Sequence, residues 1–396
     1  MIPAPDIRGT DVPIEYARLI AWGWDTIQEA YPHRPDGNLE KSLQEAKKKA
    51  GEARASGDGV YVMDLYGEAF QMHASAAKGF SYRFQTDDII YLVKTGNCDW
   101  AVSVRYSAAG LWEHGWDALQ AQAREFIDSM FERHSDAAAV ISRADYAFDF
   151  FSPAFTNEFT LANLSNLFVC HSSSKVRWNS NIIGTSRKDQ TVTIGSPARL
   201  QISVYDKAAE INEMSGKTWM EEVWAQTTQG EVLYDTVKPS DVWRLEVRMG
   251  SQYLKNRIAD RGNCKAIETF KKHHRKLITD ALMRVRMTAL DGEACIRNRP
   301  MHPLWTLALA HIADGTEELL PIGRRVTGRR SKLLSMAEAQ IAGAVRSAAV
   351  LAEGQGTSEN LDIILARAKE VALADPNAAK KVTEALHRYE FVDEAK

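Results

Sequence analysis

Three separate stretches of the chain alternate apolar and polar residues with a period of two, which is the pattern of strands buried on one face. They cover residues 141–150, 199–207 and 242–249. In the second stretch, Leu200, Ile202 and Val204 alternate with polar residues, and Tyr205 is followed two positions later by Lys207. If the three strands share one sheet with their apolar faces on a common core, their polar faces coincide.

That common polar face would gather many charged groups. The three strands contribute Arg143, Asp145, Asp149, Arg199, Tyr205, Lys207, Arg244, Glu246 and Arg248. Arginine and aspartate that alternate on an exposed strand face often form cross-strand ion pairs with no further role. The pattern therefore leaves two interpretations, a reactive surface or a set of structural ion pairs.

The rest of the chain predicts further elements of both types. An amphipathic helix is expected over 12–31, and a very polar helix follows over 38–55. Short runs rich in Val, Ile and Tyr predict strands at 60–66, 80–85, 89–94 and 100–106, followed by a helix over 113–133. Beyond them we expect a short helix at 161–168, strands at 140–150, 175–178, 191–194, 200–205 and 242–249, and a helix or helix pair over 252–287. From residue 299 the chain is expected to be helical to its end.

These elements predict an α+β fold, in which a twisted antiparallel sheet carries helices on its apolar face and a separate helical domain follows at the C-terminus. We place an N-terminal helical segment at 1–57 and the sheet domain at 58–290. A helical basic connector is expected at 291–330 and the helical C-terminal domain at 331–396. Strands followed by a helix occur twice, which is compatible with an internal structural duplication, although the residues themselves show no repeat.

Composition narrows the class of protein. The chain has 396 residues, of which 45% are hydrophobic, as in ordinary globular proteins. No apolar run approaches the length that crosses a bilayer, and the first residues lack the basic and apolar regions of a signal peptide. We therefore expect a cytoplasmic protein without a membrane partner. The four cysteines are scattered singly, so neither a zinc site nor a disulfide framework is indicated.

Charge is unevenly distributed along the chain. The formal net charge is -3, but residues 251–332 contain 17 Lys and Arg against 8 Asp and Glu. Such a local basic excess is what a DNA-binding protein needs, although solvated helix faces would look the same. Within it, Arg324, Arg325, Arg329 and Arg330 are candidates for phosphate contacts.

The polar face of the three strands has the groups that tyrosine chemistry requires. With a pKa of about 10, only roughly one phenol in a thousand is ionised at neutral pH. A nearby cation such as Lys207 can stabilise the phenolate, and a metal ion bound by carboxylates can polarise the phosphoryl group under attack. The arginines Arg143, Arg199, Arg244 and Arg248 are suited to binding phosphate oxygens. This combination favours phosphodiester transfer onto the protein.

Geometry limits any metal site on this face. Asp145 and Asp149 lie four residues apart, so their Cα atoms are roughly 13 Å apart in an ideal strand. Both cannot bind one Mg²⁺ directly at ~2.1 Å unless the strand bends. One of them would pair with Glu246 from another strand, while the other orients a neighbouring group or forms a salt bridge with an arginine.

Four ordered motifs resemble the Rep_trans family, the replication initiation proteins of rolling-circle plasmids and filamentous phages with the related relaxases of integrative conjugative elements. The resemblance covers about residues 80–250. Its motifs are Ser142-Arg-Ala-Asp-Tyr-Ala-Phe-Asp149, Thr191-Val-Thr-Ile-Gly-Ser196, Val204-Tyr-Asp-Lys-Ala-Ala-Glu210 and Trp243-Arg-Leu-Glu246. The chain departs from the family at Thr193, where an aromatic residue is usual, and at Pro197, which compresses the path into the tyrosine strand.

The resemblance implies a fold similar to the saddle of the TATA-box-binding protein. It implies that Tyr205, at the Tyr-x-Lys position, cuts one DNA strand at an origin, stays joined to the 5′ phosphate and frees a 3′ hydroxyl. Asp145, Asp149 and Glu246 match the acidic positions, which implies Mg²⁺ or Mn²⁺ as cofactor. The expected partners are double-stranded origin DNA and single-stranded DNA, and a homodimer is kept open as the assembly.

Several alternatives remain open from the sequence. The chain has no His-x-His relaxase motif. It has no P-loop pattern either, so it should not hydrolyse ATP and a separate host helicase would be needed. Tyr253 competes with Tyr205 as the nucleophile. The same chemistry would serve a conjugative relaxase at a transfer origin, and a DNA-binding regulator could keep the sheet and the basic helices without cutting.

Overall fold

The computed structural model of the protein describes most of the chain up to residue 314 and four segments beyond it. The described residues are 16–56, 61–65, 68–96, 98–158, 167–170, 178–179, 191–215, 217, 219–227, 241–259, 262–263, 264–289, 295, 298–314, 323–324, 326–328, 358–374 and 389–391.

Twenty strands occur in these residues. The strands of the N-terminal part are β1 Arg18–Tyr31, β2 His33–Arg34, β3 Tyr61–Leu65, β4 Glu68–Met72, β5 Tyr82–Gln85, β6 Ile89–Val93, β7 Val102–Tyr106 and β8 Glu132–Arg133. The middle of the chain adds β9 Val140–Phe151, β10 Phe168–Cys170, β11 Trp178–Asn179, β12 Thr191–Gly195, β13 Leu200–Asp206 and β14 Val242–Gly250. The last strands are β15 Arg257–Ala259, β16 Gly262–Asn263, β17 Val285–Met287, β18 Gly323–Arg324, β19 Val326–Gly328 and β20 Tyr389–Phe391.

Ten α-helices and one π-helix connect or cover these strands in the described residues. They are α1 Gly37–Ser56, α2 Ala108–Glu113, α3 Trp116–Met130, α4 Pro153–Glu158, α5 Lys207–Glu210, the π-helix Ile211–Ser215, α6 Trp219–Thr227, α7 Ser251–Lys255, α8 Ile267–Arg284, α9 Pro303–Ala313 and α10 Ser358–Ala374.

One antiparallel sheet of eleven strands dominates the structure, in the order β11-β12-β13-β14-β9-β1-β7-β6-β5-β4-β3. Its central strand, β1, pairs with β9 on one side and with β7 on the other. The predicted α+β class with a large antiparallel sheet is therefore confirmed. The three strands whose alternation was recognised in the sequence, β9, β13 and β14, lie side by side.

The apolar face of the sheet is covered by helices. On the β9 side, aromatic rings of the strands meet those of the helices, as in the contacts of Trp24 with Phe270 of α8 and of Phe148 with His311 of α9. On the β7 side, Phe126 of α3 packs against the sheet, with centroid distances of 4.8 Å to Phe70 and 4.9 Å to Tyr91. Burial of this aromatic area stabilises the packing of the helices on the sheet.

The helix predicted over 12–31 is wrong for its greater part, because Arg18–Tyr31 forms the central strand β1. The pairing of β1 with β9 shifts register at three points, between Leu19 and Ala21, between Trp24 and Thr26, and between Gln28 and Glu29. Each bulge interrupts the period of two, so the apolar residues recur at a spacing that imitates a helix. The segment 1–57 is thus not wholly helical, whereas the helix predicted over 38–55 is confirmed by α1.

Other predicted elements need smaller corrections. The helix pair expected over 252–287 is interrupted by β15 and β16, and the chain is not helical throughout after residue 299, because β20 is a strand. The helix predicted at 161–168 falls almost wholly outside the described residues. Strand β4 was not predicted.

The chain divides into two compact units, one of residues 1–254 with 265–320 and one of 255–264 with 321–396. In the second unit, β15 pairs with β16 and β18, β19 pairs with β20, and α10 is the described helix. The predicted domain boundaries and the helical C-terminal domain remain predictions. None of the helices in the described part of the chain is both long and apolar enough to span a membrane.

Candidate active site

The polar faces of β9, β13 and β14 form one surface, as predicted. Cross-strand pairing places Tyr205 opposite Arg244, and Arg244 opposite Asp149. One step along the strands, Ser203 lies opposite Glu246. The next row contains Gln201, Arg248 and Asp145. Antiparallel register therefore brings the phenol, the guanidinium groups and the carboxylates of three distant sequence segments into one network.

Tyr205 is half-buried near the end of β13 and is paired with a carboxylate. Its hydroxyl donates a hydrogen bond to Oε2 of Glu246 over 3.1 Å. Burial raises the pKa of Tyr205 well above its ordinary value, and the charge of Glu246 acts in the same direction. The phenol is therefore neutral at physiological pH, and its proton already points at an acceptor.

Glu246 is a buried carboxylate whose positive partners do not fully compensate it. It accepts hydrogen bonds from Tyr205 and, over 3.1 Å, from Nη2 of Arg248. Burial raises the pKa of Glu246, and the negative charges of Asp25 and Asp145 raise it further. A carboxylate whose pKa is raised is a stronger proton acceptor than an ordinary glutamate.

Arg244 lies at the centre of the network and is fully buried. Its Nε and Nη2 donate to the two oxygens of Asp149 over 2.6 and 2.8 Å, and its Nη1 donates to Asp25 over 2.7 Å. Trp224 of α6 donates its indole N–H to Asp149 over 2.9 Å. The predicted role of Arg244 as a DNA clamp does not match this burial, because its guanidinium is enclosed by carboxylates. It fits a residue that positions the strand bearing Glu246.

Asp145 is likewise surrounded by cations. Arg143 donates its Nε to both oxygens of Asp145 over 3.0 Å, and Arg248 donates its Nε over 3.0 Å. Arg248 also donates to Gln201 over 2.9 Å. Asp145 is completely buried, whereas the side chains of Arg143 and Arg248 are 27% and 25% exposed. These two arginines can therefore still reach a ligand at the surface.

Asp25 belongs to this site and was missed in the sequence. It lies in the bulge of β1 between Trp24 and Thr26, which directs its side chain to Arg244. Burial alone would raise the pKa of Asp25, but the charges of Arg244, Lys217 and Lys207 outweigh it and lower the pKa. Asp25 was missed because its segment was predicted as a helix, and a helix would not place Asp25 on the polar face of the sheet.

The three predicted metal ligands do not converge. Asp149, Asp145 and Asp25 are each paired with an arginine, which leaves Glu246 as the less compensated carboxylate. In the described part of the chain, no group of three or more His, Cys, Asp or Glu is placed to bind one metal ion. The arrangement therefore does not fit a preformed site for Mg²⁺ or Mn²⁺, which prefer several oxygen ligands.

Lys207 and Arg199 flank β13 rather than belonging to it. Lys207 begins α5, where its buried ammonium pairs with Glu210 and lies 5.7 Å from the centroid of the Tyr205 ring. Burial lowers the pKa of Lys207, and the charge of Arg244 contributes to the shift. Arg199 is exposed in the preceding turn and donates to Gln252 over 3.1 Å.

A tight turn leads into the strand of Tyr205. Gly195 has φ +101, and a Cβ added to it would lie 2.1 Å from the carbonyl oxygen of Leu200, so glycine is required there. The turn closes through the amide of Ser196, which donates to Leu200 over 2.9 Å. Thr193 uses its hydroxyl to contact that of Ser203 over 3.1 Å. The compressed path at Pro197 is thus accommodated without displacing Tyr205.

Tyr253, the competing tyrosine, and Tyr146 both face the core. Tyr253 is buried, and its hydroxyl donates to Asp280 of α8 over 2.9 Å. Tyr146 packs against Trp24 on the apolar face at a centroid distance of 4.9 Å. Of the basic connector, Arg324 lies in β18 of the second unit, while Arg325, Arg329 and Arg330 lie outside the described residues. Their predicted contacts with DNA remain predictions.

Comparison with known proteins finds a likeness among solved structures. No family model and no curated protein sequence matches the chain. Among solved structures, the chain is similar to a rolling circle replication initiator protein from Geobacillus stearothermophilus. The two share 12% sequence identity with a TM-score of 0.39, and the match covers 74% of this chain and 96% of that chain.

Proposed function

We propose that the protein cuts and rejoins one DNA strand through Tyr205, and that it thereby starts rolling-circle replication at a plasmid or phage origin. The observation that carries the proposal is the hydrogen bond from the Tyr205 hydroxyl to Glu246, on a sheet face where arginines gather. A half-buried phenol paired with a carboxylate acceptor is arranged for transfer of its proton.

The proposed reaction needs only groups on this face. The phenol oxygen of Tyr205 attacks the phosphorus of a backbone phosphodiester and passes its proton to Glu246. The bond from phosphorus to the 3′ oxygen breaks, and that oxygen takes a proton from water to become a 3′ hydroxyl, while Glu246 releases the phenol proton to water. The 5′ phosphate stays joined to Tyr205. Rejoining is the reverse, in which a 3′ hydroxyl attacks the phosphotyrosine and Tyr205 recovers its proton.

The positive side chains have distinct tasks in this proposal. Arg143 and Arg248 are partly exposed and would contact phosphate oxygens, whereas Arg244 positions Asp149 and Asp25 within the sheet. Lys207 lies beside the ring of Tyr205 and favours negative charge there. The resemblance of the motifs around Tyr205 to those of replication initiators supports this role, since a freed 3′ hydroxyl can prime synthesis.

A plasmid relaxation assay tests the proposal. Supercoiled plasmid with the cognate origin is incubated with the wild type and with Tyr205→Phe, each with and without a chelator. We expect relaxation by the wild type and none by Tyr205→Phe. Equal relaxation by both proteins would remove Tyr205 from its role. The chelator arm tests the predicted requirement for Mg²⁺ or Mn²⁺, which the described carboxylates do not support.

A DNA-binding regulator is the second candidate, and the pairing of Asp145 and Asp149 with arginines favours it, since such pairs can be purely structural. It predicts that Tyr205→Phe and wild type bind origin DNA equally and that neither relaxes the plasmid. A conjugative relaxase would use the same chemistry at a transfer origin, so exchanging the origin in the assay distinguishes it.

A further inference from the structure

Arg105 extends the polar face to the other side of the central strand. It lies on β7 opposite Gln28 of β1, and Gln28 lies opposite Arg143 of β9. Two strand spacings, roughly 10 Å, therefore separate the backbones of Arg105 and Arg143. Sequence patterns do not single out Arg105, because β1, the strand that joins it to the site, is predicted as a helix.

Arg105 differs from the other arginines of this face in having no close partner. Arg143, Arg244 and Arg248 each form an ion pair with an aspartate. Within the described residues, the side chain of Arg105 makes no hydrogen bond and no ion pair, although it is half-buried. Burial lowers the pKa of Arg105, and the positive charges of Arg143 and Arg248 add to this effect, against the carboxylates of Asp145 and Asp25.

We infer that Arg105, together with Arg143 and Arg248, binds a backbone phosphate of the DNA strand on which Tyr205 acts. A partly buried guanidinium beside two other cations is electrostatically unfavourable until an anion arrives, and phosphate matches its planar fork of donors. The inference rests on the proposed function, because it takes DNA as the ligand of this face. Arg105 would be a binding residue that the cutting reaction itself does not require.

The distance between Arg105 and Tyr205 shows which phosphate Arg105 would contact. Four strand spacings, roughly 19 Å, separate β13 from β7. The phosphate at Arg105 is therefore not the one that Tyr205 attacks, but one further along the strand. Arg105 orients the DNA across the sheet, from β7 to β13, and takes no part in bond breaking.

Binding of a single-stranded oligonucleotide tests the inference without any cutting. The full-length chain carries Tyr205→Phe, and Arg105→Gln is compared with Arg34→Gln, which removes a half-exposed arginine of β2. We expect Arg105→Gln to weaken binding about tenfold and to reduce the slope of log affinity against log salt by about 0.7, the value for one phosphate contact. Arg105→Lys should retain part of the affinity. Equal effects of Arg105→Gln and Arg34→Gln would overturn the inference.

Thermal unfolding with inorganic phosphate provides a readout that needs neither DNA nor cutting. Without phosphate, Arg105→Gln should unfold at the same temperature as its parent or higher, because the repulsion of Arg105 by Arg143 and Arg248 is removed. Phosphate should raise the Tm of the parent more than that of Arg105→Gln. A lower Tm for Arg105→Gln with an equal response to phosphate would show a structural arginine instead. Failure of Tyr205 to cut, with these results intact, would overturn only the proposed function.

Discussion

The two sides of the central strand β1 both bury charge, but they use it differently. On the β7 side, the buried Glu29 accepts hydrogen bonds from four side chains, those of Tyr31, Tyr106, Trp116 and Gln120. On the β9 side, Glu246 shares its cations with other carboxylates, and its pKa is raised by burial and by Asp25 and Asp145. A buried carboxylate surrounded by donors is structural, whereas one that is undercompensated beside a phenol is prepared for chemistry.

The largest effect on stability is expected from the network around Arg244. Asp149→Asn removes the charge that binds Nε and Nη2 of Arg244, and leaves a buried guanidinium with Asp25 alone. We expect the free energy of unfolding to fall by about 3–5 kcal/mol, the usual result of breaking a buried pair. Denaturant unfolding monitored by circular dichroism measures it.

An exposed aspartate of the other side serves as the control. Asp87 lies in the turn between β5 and β6, and Asp87→Asn should change the free energy of unfolding by less than about 0.5 kcal/mol. The triple variant Asp149→Leu, Arg244→Met and Asp25→Asn should recover much of the lost stability, since apolar residues can replace a buried ion pair once no charge is left unpaired. Similar losses for Asp149→Asn and Asp87→Asn would mean that the network contributes little.

A smaller effect, on rate alone, is expected at Glu246. Glu246→Gln keeps the shape of the side chain and an oxygen that can accept from Tyr205, but it cannot take the proton. We expect adduct formation with a cleavable oligonucleotide to slow about a hundredfold, or about 2.7 kcal/mol in the barrier, while binding of the same oligonucleotide is retained. As the control, Glu29→Gln changes the carboxylate that accepts four hydrogen bonds on the β7 side, and it should leave the rate of the folded protein unchanged. If Glu246→Gln reacts at the wild-type rate, Glu246 is not the proton acceptor.

The third and smallest effect concerns the hydrogen bonds around Glu29, whose contribution to stability depends on pH. Tyr106 donates to Glu29 over 2.8 Å, and Tyr106→Phe should cost about 1.5 kcal/mol at neutral pH. Burial, together with the charge of Glu29, raises the pKa of Tyr106 well above its ordinary value of 10.0. The unfolded chain therefore loses this proton first, so the stabilisation is complete below about pH 10 and is lost as pH rises beyond it.

Unfolding measured at about pH 8 and about pH 11 checks the sign of this effect. The wild type should lose more stability over the interval than Tyr106→Phe, because the variant has one phenol fewer to ionise on unfolding. An identical loss in both proteins would show that Tyr106 titrates normally in the folded state.

Alternation made the candidate site predictable, since three short strands with a clear period of two had to share a face once they shared a core. Tyr205, Asp145 and Glu246 were placed on it correctly by that argument alone. What alternation cannot show is pairing: Arg244 was expected to bind DNA, yet register places it between Asp149 and Asp25. Ion pairs depend on cross-strand partners that lie up to 219 positions away in the chain.

Strand β1 shows why the rest could not be predicted. Its three bulges break the period of two that identifies a strand, so its apolar residues recur at a helix-like spacing. Asp25 was therefore not recognised as a residue of the site. Arg105 was lost for the same reason, because β1 is the strand that joins β7 to the site. Bulges are stabilised by contacts on both neighbouring strands, and a local sequence pattern does not contain those contacts.

The most direct test is to trap the covalent product. The wild type is incubated with a single-stranded oligonucleotide containing the cognate origin, the protein is digested, and the peptide that carries the nucleotide is identified by mass spectrometry. We predict one adduct, on Tyr205, joined to the 5′ phosphate of the downstream fragment. An adduct on Tyr253 or another residue, or cleavage without any adduct, would contradict the assignment of Tyr205 as the nucleophile.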